Sequence, residues 1–193
     1  MGQGRQVPIF DKKKKMTAAV DTSRVQLKPV KVTFLEMHQP PDEAMAIKEG
    51  IECRPLTRPI SVDNYRHYYY GVGEKYFWLD RMLMDDEKLA VLINAQHIDI
   101  FVMYIHGEAA GYAEFRKEED FTEIVYFGLL PAFVGKGWGK YFLNWVISQA
   151  WSYKPGWIRL DTCELDHPHA LGNYKRRGFI EVRNEVQERK VLF

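Results

Sequence analysis

Between residues 30 and 37 apolar and polar side chains alternate with the period of a half-buried strand, and Pro40-Pro41 closes the run. Residues 51–57 read as a second short strand between Gly50 and Pro59. Helix spacing follows over residues 61–71, with Ser61 in position to cap it and Asn64 and Tyr65 in its first turns. A second helix is predicted from Asp85 or Asp86 to about residue 95, its acidic start suited to the helix dipole. The clearest block comes next. Residues 98–105 (IDIFVMYI) form a strand, His106-Gly107-Glu108 a turn, and residues 109–116 a second strand. After a polar turn at 117–120, residues 123–130 (EIVYFGLL) are nearly all apolar, the pattern of a strand buried on both faces. These three strands predict an antiparallel meander.

A glycine-rich turn, residues 134–140, then leads into a helix that runs to about residue 152. Phe142, Leu143, Val146, Ile147 and Ala150 form its core-facing stripe, and Trp138, Tyr141 and Trp145 flank it as packing residues. Residues 157–163 are a strand, and 167–177 a helix with Pro168 in its first turn and Gly178 after its end. Residues 179–182 and 188–192 close the pattern as a terminal hairpin. The predicted fold class is α/β (α+β): a mixed, mostly antiparallel central sheet with helices on both faces.

The glycine turn carries the first candidate chemistry. Glycines bring backbone close to a ligand, and the free amides at the start of the helix attract an anion, most often a phosphate. Lys136 and Lys140 add charge beside it. The sequence Val134-Gly135-Lys136-Gly137-Trp138-Gly139-Lys140 fits neither a nucleotide P-loop, because residue 130 is Leu and residue 137 is Gly, nor a G-x-G-x-x-G dinucleotide fingerprint. On spacing alone it is equally a tight strand–helix connection.

The turn resembles the coenzyme A pyrophosphate loop of the GNAT N-acetyltransferase superfamily, [QR]-x-x-G-x-[GA], with Val134, Gly137 and Gly139 in register and Val134 in place of Gln or Arg. A later segment is similar to that family's N-x-x-A-x-x-x-Y-x-x-x-G-F motif: Ala170, Tyr174, Gly178 and Phe179 match, and His167 replaces Asn. The resemblance covers roughly residues 51–193. It implies acetyl-CoA (coenzyme A) as acyl donor, bound by residues 134–140 together with His167 and Asn173. It also implies that the backbone of Leu129 and Leu130 meets the pantetheine arm. Glu123, on the segment that carries a catalytic glutamate in several members, is the implied base, and Tyr174 the implied acid at the thiolate. Without the resemblance, Glu123 reads as an exposed carboxylate at a strand start and Tyr174 as a packed helix aromatic.

The activity implied is an acetyl transfer to a primary amine of a small molecule or peptide. A regulatory acyl-CoA-binding module of the same fold is the alternative. The aromatic run from Tyr65 to Trp78, beside Asp80, is either a cation-binding acceptor wall, ordinary packing, or a contact between two copies of the chain.

Charge changes the picture only at the start. Residues 1–31 carry eight basic side chains against two acidic ones, and the remaining chain carries 19 against 24. Residues 1–29 therefore read as a basic, poorly ordered leader before a single domain, 30–193. An acidic body without aromatics among Lys12–Lys15 argues against a nucleic-acid partner. No apolar run reaches the ~20 residues of a membrane helix, and no secretory signal is legible. Cys53 and Cys163 are isolated thiols, the usage of a reducing cytoplasm. His167 and His169 lack a third metal ligand and read as helix-start residues.

Overall fold

The computed structural model of the chain describes residues 20–41 and 48–193. The Lys12–Lys15 run lies outside the described residues.

Seven strands form one sheet. β1 (Val25–Met37), β2 (Ile51–Pro55), β3 (Ile98–Ile105), β4 (Glu108–Lys117), β5 (Phe121–Leu129), β6 (Trp157–Cys163) and β7 (Ile180–Leu192) take the order β2-β3-β4-β5-β6-β1-β7. Every neighbouring pair is antiparallel except β5 and β6. The predicted meander is β3–β4–β5.

Among the described residues four helices cover the two faces. α1 (Val62–Gly73) starts where Ser61 accepts a hydrogen bond from the Asn64 amide, and α2 (Asp86–Ile93) where Asp85 accepts from the amides of Glu87 and Lys88. Their apolar stripes bury Tyr65, Tyr69, Val72, Leu89 and Ile93 against Ile98, Ile100, Val102 and Tyr112 of the sheet. On the opposite face α3 (Gly139–Ser152) buries the predicted stripe, Phe142 to Ala150, against Met103, Ala113, Phe115, Ile158 and Leu160. Each such large side chain removed from water contributes roughly 1.5–3 kcal/mol. The short α4 (Ala170–Lys175) follows β6 and lies within the longer span expected from the sequence.

Three expectations require correction. The C-terminal residues are not a hairpin but one 13-residue strand, β7, paired with β1. The polar stretch 183–187 looks like a turn, yet an edge strand exposes such side chains while its backbone stays paired. Order also begins earlier than the pattern suggests, with a 3-10 turn at Thr22–Arg24 and β1 from Val25. Lastly, β5 is not buried on both faces: beyond Ile124 its residues are half-buried. The reason is the feature that makes the site. β5 pairs with β6 only at Phe121↔Trp157, Thr122↔Ile158 and Glu123↔Arg159, after which the two strands diverge. Val125 has no register partner between the pairs Glu114↔Tyr126 and Phe115↔Ile124, a bulge that bends β5 away where the divergence starts.

Candidate active site

The split between β5 and β6 opens into a cavity of about 850 Å³, the size of a site for a large organic ligand. One wall is the free edge of β5. The ladder with β4 alternates: Leu130 N–H donates to Ala110 C=O at 2.8 Å, so residues two apart from Leu130 face β4, and Leu129 and Phe127 turn their amides and carbonyls into the opening. Leu129 and Phe127 both line the cavity.

At one end lies the glycine turn. Gly135 and Gly137 have φ of +77° and +80°, left-handed backbone that glycine adopts without strain, and a Cβ at either would meet no atom within 4 Å. Trp138 stands at the N-cap of α3 without a side-chain cap hydrogen bond, and the first turn of α3 holds no acidic residue. The first amides of a 14-residue helix are thus aimed outward and unscreened. Val134, Gly135, Gly137 and Gly139 line the cavity here. An open, electropositive backbone cradle fits a pyrophosphate. Across from it, Asn173, Arg176, His167 and His169 of the α4 region face the same space, with Arg176 donating to the Asn173 side chain at 2.5 Å.

Tyr174 also lines the cavity, its ring against Phe179 with centroids 6.1 Å apart. Enclosure by the walls pushes the Tyr174 hydroxyl well above the ordinary tyrosine range, and the nearby charges of Asp166 and Asp161 push the same way. It therefore stays protonated, a donor, throughout the neutral range.

The far end is aromatic and charged. Tyr69, Tyr76, Trp78 and Tyr126 surround it, with Trp78 and Tyr126 at 4.9 Å between centroids. Burial pushes the Tyr126 hydroxyl up to about 12. Asp166 is held in place: its Oδ2 accepts from the Thr162 hydroxyl at 2.8 Å and the Cys163 amide at 2.9 Å, and its Oδ1 from Trp78 Nε1 at 3.5 Å. Asp161 lies 3.4 Å from Arg189, and Asp80 2.6 Å from Lys190. Partial burial raises Asp161 above the usual aspartate range, against the opposing pull of the Arg189 guanidinium.

The structure thus brings Tyr174, Leu129, Val134, Gly135, Gly137, Gly139, His167 and Asn173 to one cavity. It does not bring Glu123 there. That carboxylate sits at the closed end of the split, 12% exposed, gripped by Arg116 and by Arg159 at 3.3 Å, and it borders a separate hollow with Glu36 and Arg183. Two guanidinium groups thus pair with it. The side chain of Leu130 packs against the core, and its backbone is not free for a ligand: its amide donates to Ala110 and its carbonyl accepts from Phe133. Lys136, Trp138 and Lys140 belong to the turn, but their side chains do not line the cavity; Trp138 packs on the core and Lys140 Nζ lies 4.8 Å from the Tyr141 ring centroid. Asp161, Asp166, Arg189 and Lys190 were not singled out from the sequence. Asp161 shares an alternating face of β6 with Arg159, so its position on the strand does not single it out. The two β7 residues were hidden by the expected hairpin.

Comparison with protein families matches the acetyltransferase (GNAT) family over residues 61–179, more than half of the chain. The chain belongs to the GNAT acetyltransferase family. The matched segment of this GNAT domain runs from the Ser61 cap to Phe179, so it contains the whole β5 edge, the glycine turn and Tyr174. No curated protein matches the sequence. Solved structures agree on the GNAT fold. A functionally unknown conserved protein from Staphylococcus epidermidis is 16% identical, with a TM-score of 0.57 over 86% of this chain and 64% of its own. A GCN5-related N-acetyltransferase from Sphaerobacter thermophilus is 17% identical, with a TM-score of 0.56 over 86% of this chain and 53% of its own. An aminoglycoside acetyltransferase from an uncultured soil sample is 14% identical, with a TM-score of 0.54 over 68% of this chain and 90% of its own. The chain thus spans between half and two thirds of the first two of these proteins. No helix among the described residues is long and apolar enough to cross a membrane.

Proposed function

We propose that the protein transfers the acetyl group of acetyl-CoA to a primary amine by direct attack within a ternary complex. The observation that carries this reading is the divergence of β5 from β6 directly beside an uncapped, glycine-lined helix start. The cradle offers amides to a pyrophosphate, and the unpaired β5 edge offers a ladder to an amide-bearing arm. The arm would then end between the cradle and the aromatic, acidic pocket.

Coenzyme A supplies a thioester, whose carbonyl carbon is the electrophile. The Leu129 amide, aimed into the opening, is the donor placed to stabilise the oxyanion. The acceptor enters as an ammonium and must lose one proton before it can attack. Asp161, half-exposed in the cavity and raised by partial burial, is the carboxylate that takes this proton and passes it to solvent. Attack forms the C–N bond and breaks the C–S bond. Tyr174 donates a proton to the departing thiolate, and the second proton of the nitrogen passes through water to restore the Tyr174 hydroxyl.

The direct test is release of free thiol from acetyl-CoA across a panel of primary amines at several pH values. Release that requires both substrates and rises with pH is expected. Asp161→Asn should flatten the acidic limb, because Asp161 must be ionised to act; that limb should sit above the ordinary aspartate range. If coenzyme A raises the melting temperature but no amine yields thiol, the fold serves as a binding module and the catalytic reading falls.

The cradle has its own test. Gly137→Ala adds a methyl that meets nothing in the free protein, so its cost is the left-handed backbone alone, roughly 1–2 kcal/mol. Coenzyme A affinity should fall by more, at least about 100-fold or ~2.8 kcal/mol, because the methyl stands where the phosphates approach. Titration calorimetry beside thermal unfolding separates the two, and an affinity loss no larger than the stability loss would reduce the glycine to a turn former.

A further inference from the structure

The far end of the cavity is not simply acidic. Its carboxylates are matched with cations that come from one place, the last residues of β7. Arg189 pairs in register with Lys28 of β1, well past Val32, the last β1 residue that pairs with β6. Even so, Arg189 reaches Asp161 of β6, and Lys190 reaches Asp80 in the connection between α1 and α2. The end of the β1–β7 ribbon therefore curls back over the diverging strands and sets two cations into the acceptor end. Both ion pairs remain solvent-accessible, with side chains between 32% and 48% exposed. Exposed pairs of this kind hold little energy, typically ~0–1 kcal/mol, and separate easily. Asp166 differs, because both its oxygens already accept hydrogen bonds.

These charges discriminate between acceptors. A plain amine or a diamine that displaces a cation from Asp161 or Asp80 leaves Arg189 or Lys190 without a partner, so the exchange gains little. An acceptor with an ammonium and a carboxylate a few bonds apart inserts into a pair and satisfies both halves. Its ammonium meets Asp161 and its carboxylate meets the freed Arg189, the guanidinium being suited to two-point contact, while Lys190 adds positive charge at the same end of the cavity. The aromatic rings of Tyr76, Trp78 and Tyr126 then receive the remainder of the molecule.

Resting on the acetyl-transfer reading, we infer that the acceptor is a free amino acid, selected through its carboxylate by Arg189 and Lys190. The chemistry balances without another reactant: the α-amino nitrogen gains the acetyl carbon as the C–S bond breaks, one proton goes to solvent and one to the thiolate.

The experiment compares kcat/KM for sets of three acceptors sharing a side chain: an amino acid, its carboxamide and its decarboxylated amine, with phenylalanine, phenylalaninamide and phenethylamine as the first set. The free acid should exceed both neutralised relatives by about 10- to 100-fold in at least one set, the scale of a hydrogen bond to a charged group. In Lys190→Met and Arg189→Met that ratio should collapse toward one. Circular dichroism checks that both variants fold, and calorimetric titration of the wild-type protein with the preferred amino acid, coenzyme A present, gives a readout independent of turnover. Amines that equal or surpass their parent acids in every set overturn the inference while leaving acetyl transfer intact. Absence of thiol release from every acceptor overturns acetyl transfer itself.

Discussion

Glu114→Ala is expected to destabilise the protein by about 3–5 kcal/mol, the scale for breaking a buried ion pair from one side. Glu114 is fully buried on β4, where it accepts from the Tyr65 hydroxyl at 2.6 Å and from Arg81 at 3.2 Å. Truncation strands the Arg81 guanidinium, only 13% exposed, and orphans the Tyr65 hydroxyl. Against a typical domain stability of ~5–15 kcal/mol this is a large fraction. At ~2–4 °C per kcal/mol it corresponds to a fall in melting temperature on the order of 10 °C. Glu114→Gln keeps an oxygen for both donors and should lose much less. The pH dependence has a definite sign. Burial outweighs the guanidinium and raises Glu114 above its usual 4.5. The native state therefore holds this proton after the unfolded chain has released it, so the contribution of Glu114 declines as pH rises from about 4.5 through the native value. The glutamine variant should lack that slope. Urea unfolding at several pH values measures both effects, and an alanine variant as stable as the wild type would remove the pair from the account of this core.

Tyr174→Phe should lower kcat by roughly 10²-fold, the low end for a positioned proton donor since a thiolate leaves readily, with acetyl-CoA affinity nearly unchanged. The ring keeps its contact with Phe179, so only the hydroxyl is probed. Because the hydroxyl pKa is raised, no alkaline limb from its ionisation should appear near neutrality in the wild type. Steady-state kinetics with a fixed amine, alongside calorimetric binding of coenzyme A, separates the two quantities. Wild-type turnover in the phenylalanine variant would assign the proton to water.

Local signals made most of the fold legible. The Ser61 cap, the β3–β4 turn and the α3 stripe each follow from a few neighbouring residues, and each is present in the structure. The glycine turn and Tyr174 were legible for the same reason, since each sits in a short motif. What stayed hidden depends on contacts between distant residues. Glu123 looked available because Arg116 and Arg159 approach it only once β4, β5 and β6 are side by side. Leu130 looked like a backbone donor until the β4–β5 register assigned its amide to Ala110. Arg189 and Lys190 belong to no local motif, and only the pairing of β7 with β1 carries them to the cavity.

The β1–β7 pairing also fixes an order of assembly. β2 to β5 and their helices join segments close together in the chain, so they can form early. β1, by contrast, has partners only in β6 and β7, more than a hundred residues downstream, and must wait for them. Closing so long a loop carries an entropic cost before any contact is gained. Synthesis from the N-terminus makes β1 before β6 and β7, so its pairing waits until they are made. The glycine turn of residues 134–140 can thus be complete while the end of the cavity lined by Arg189 and Lys190 is still open.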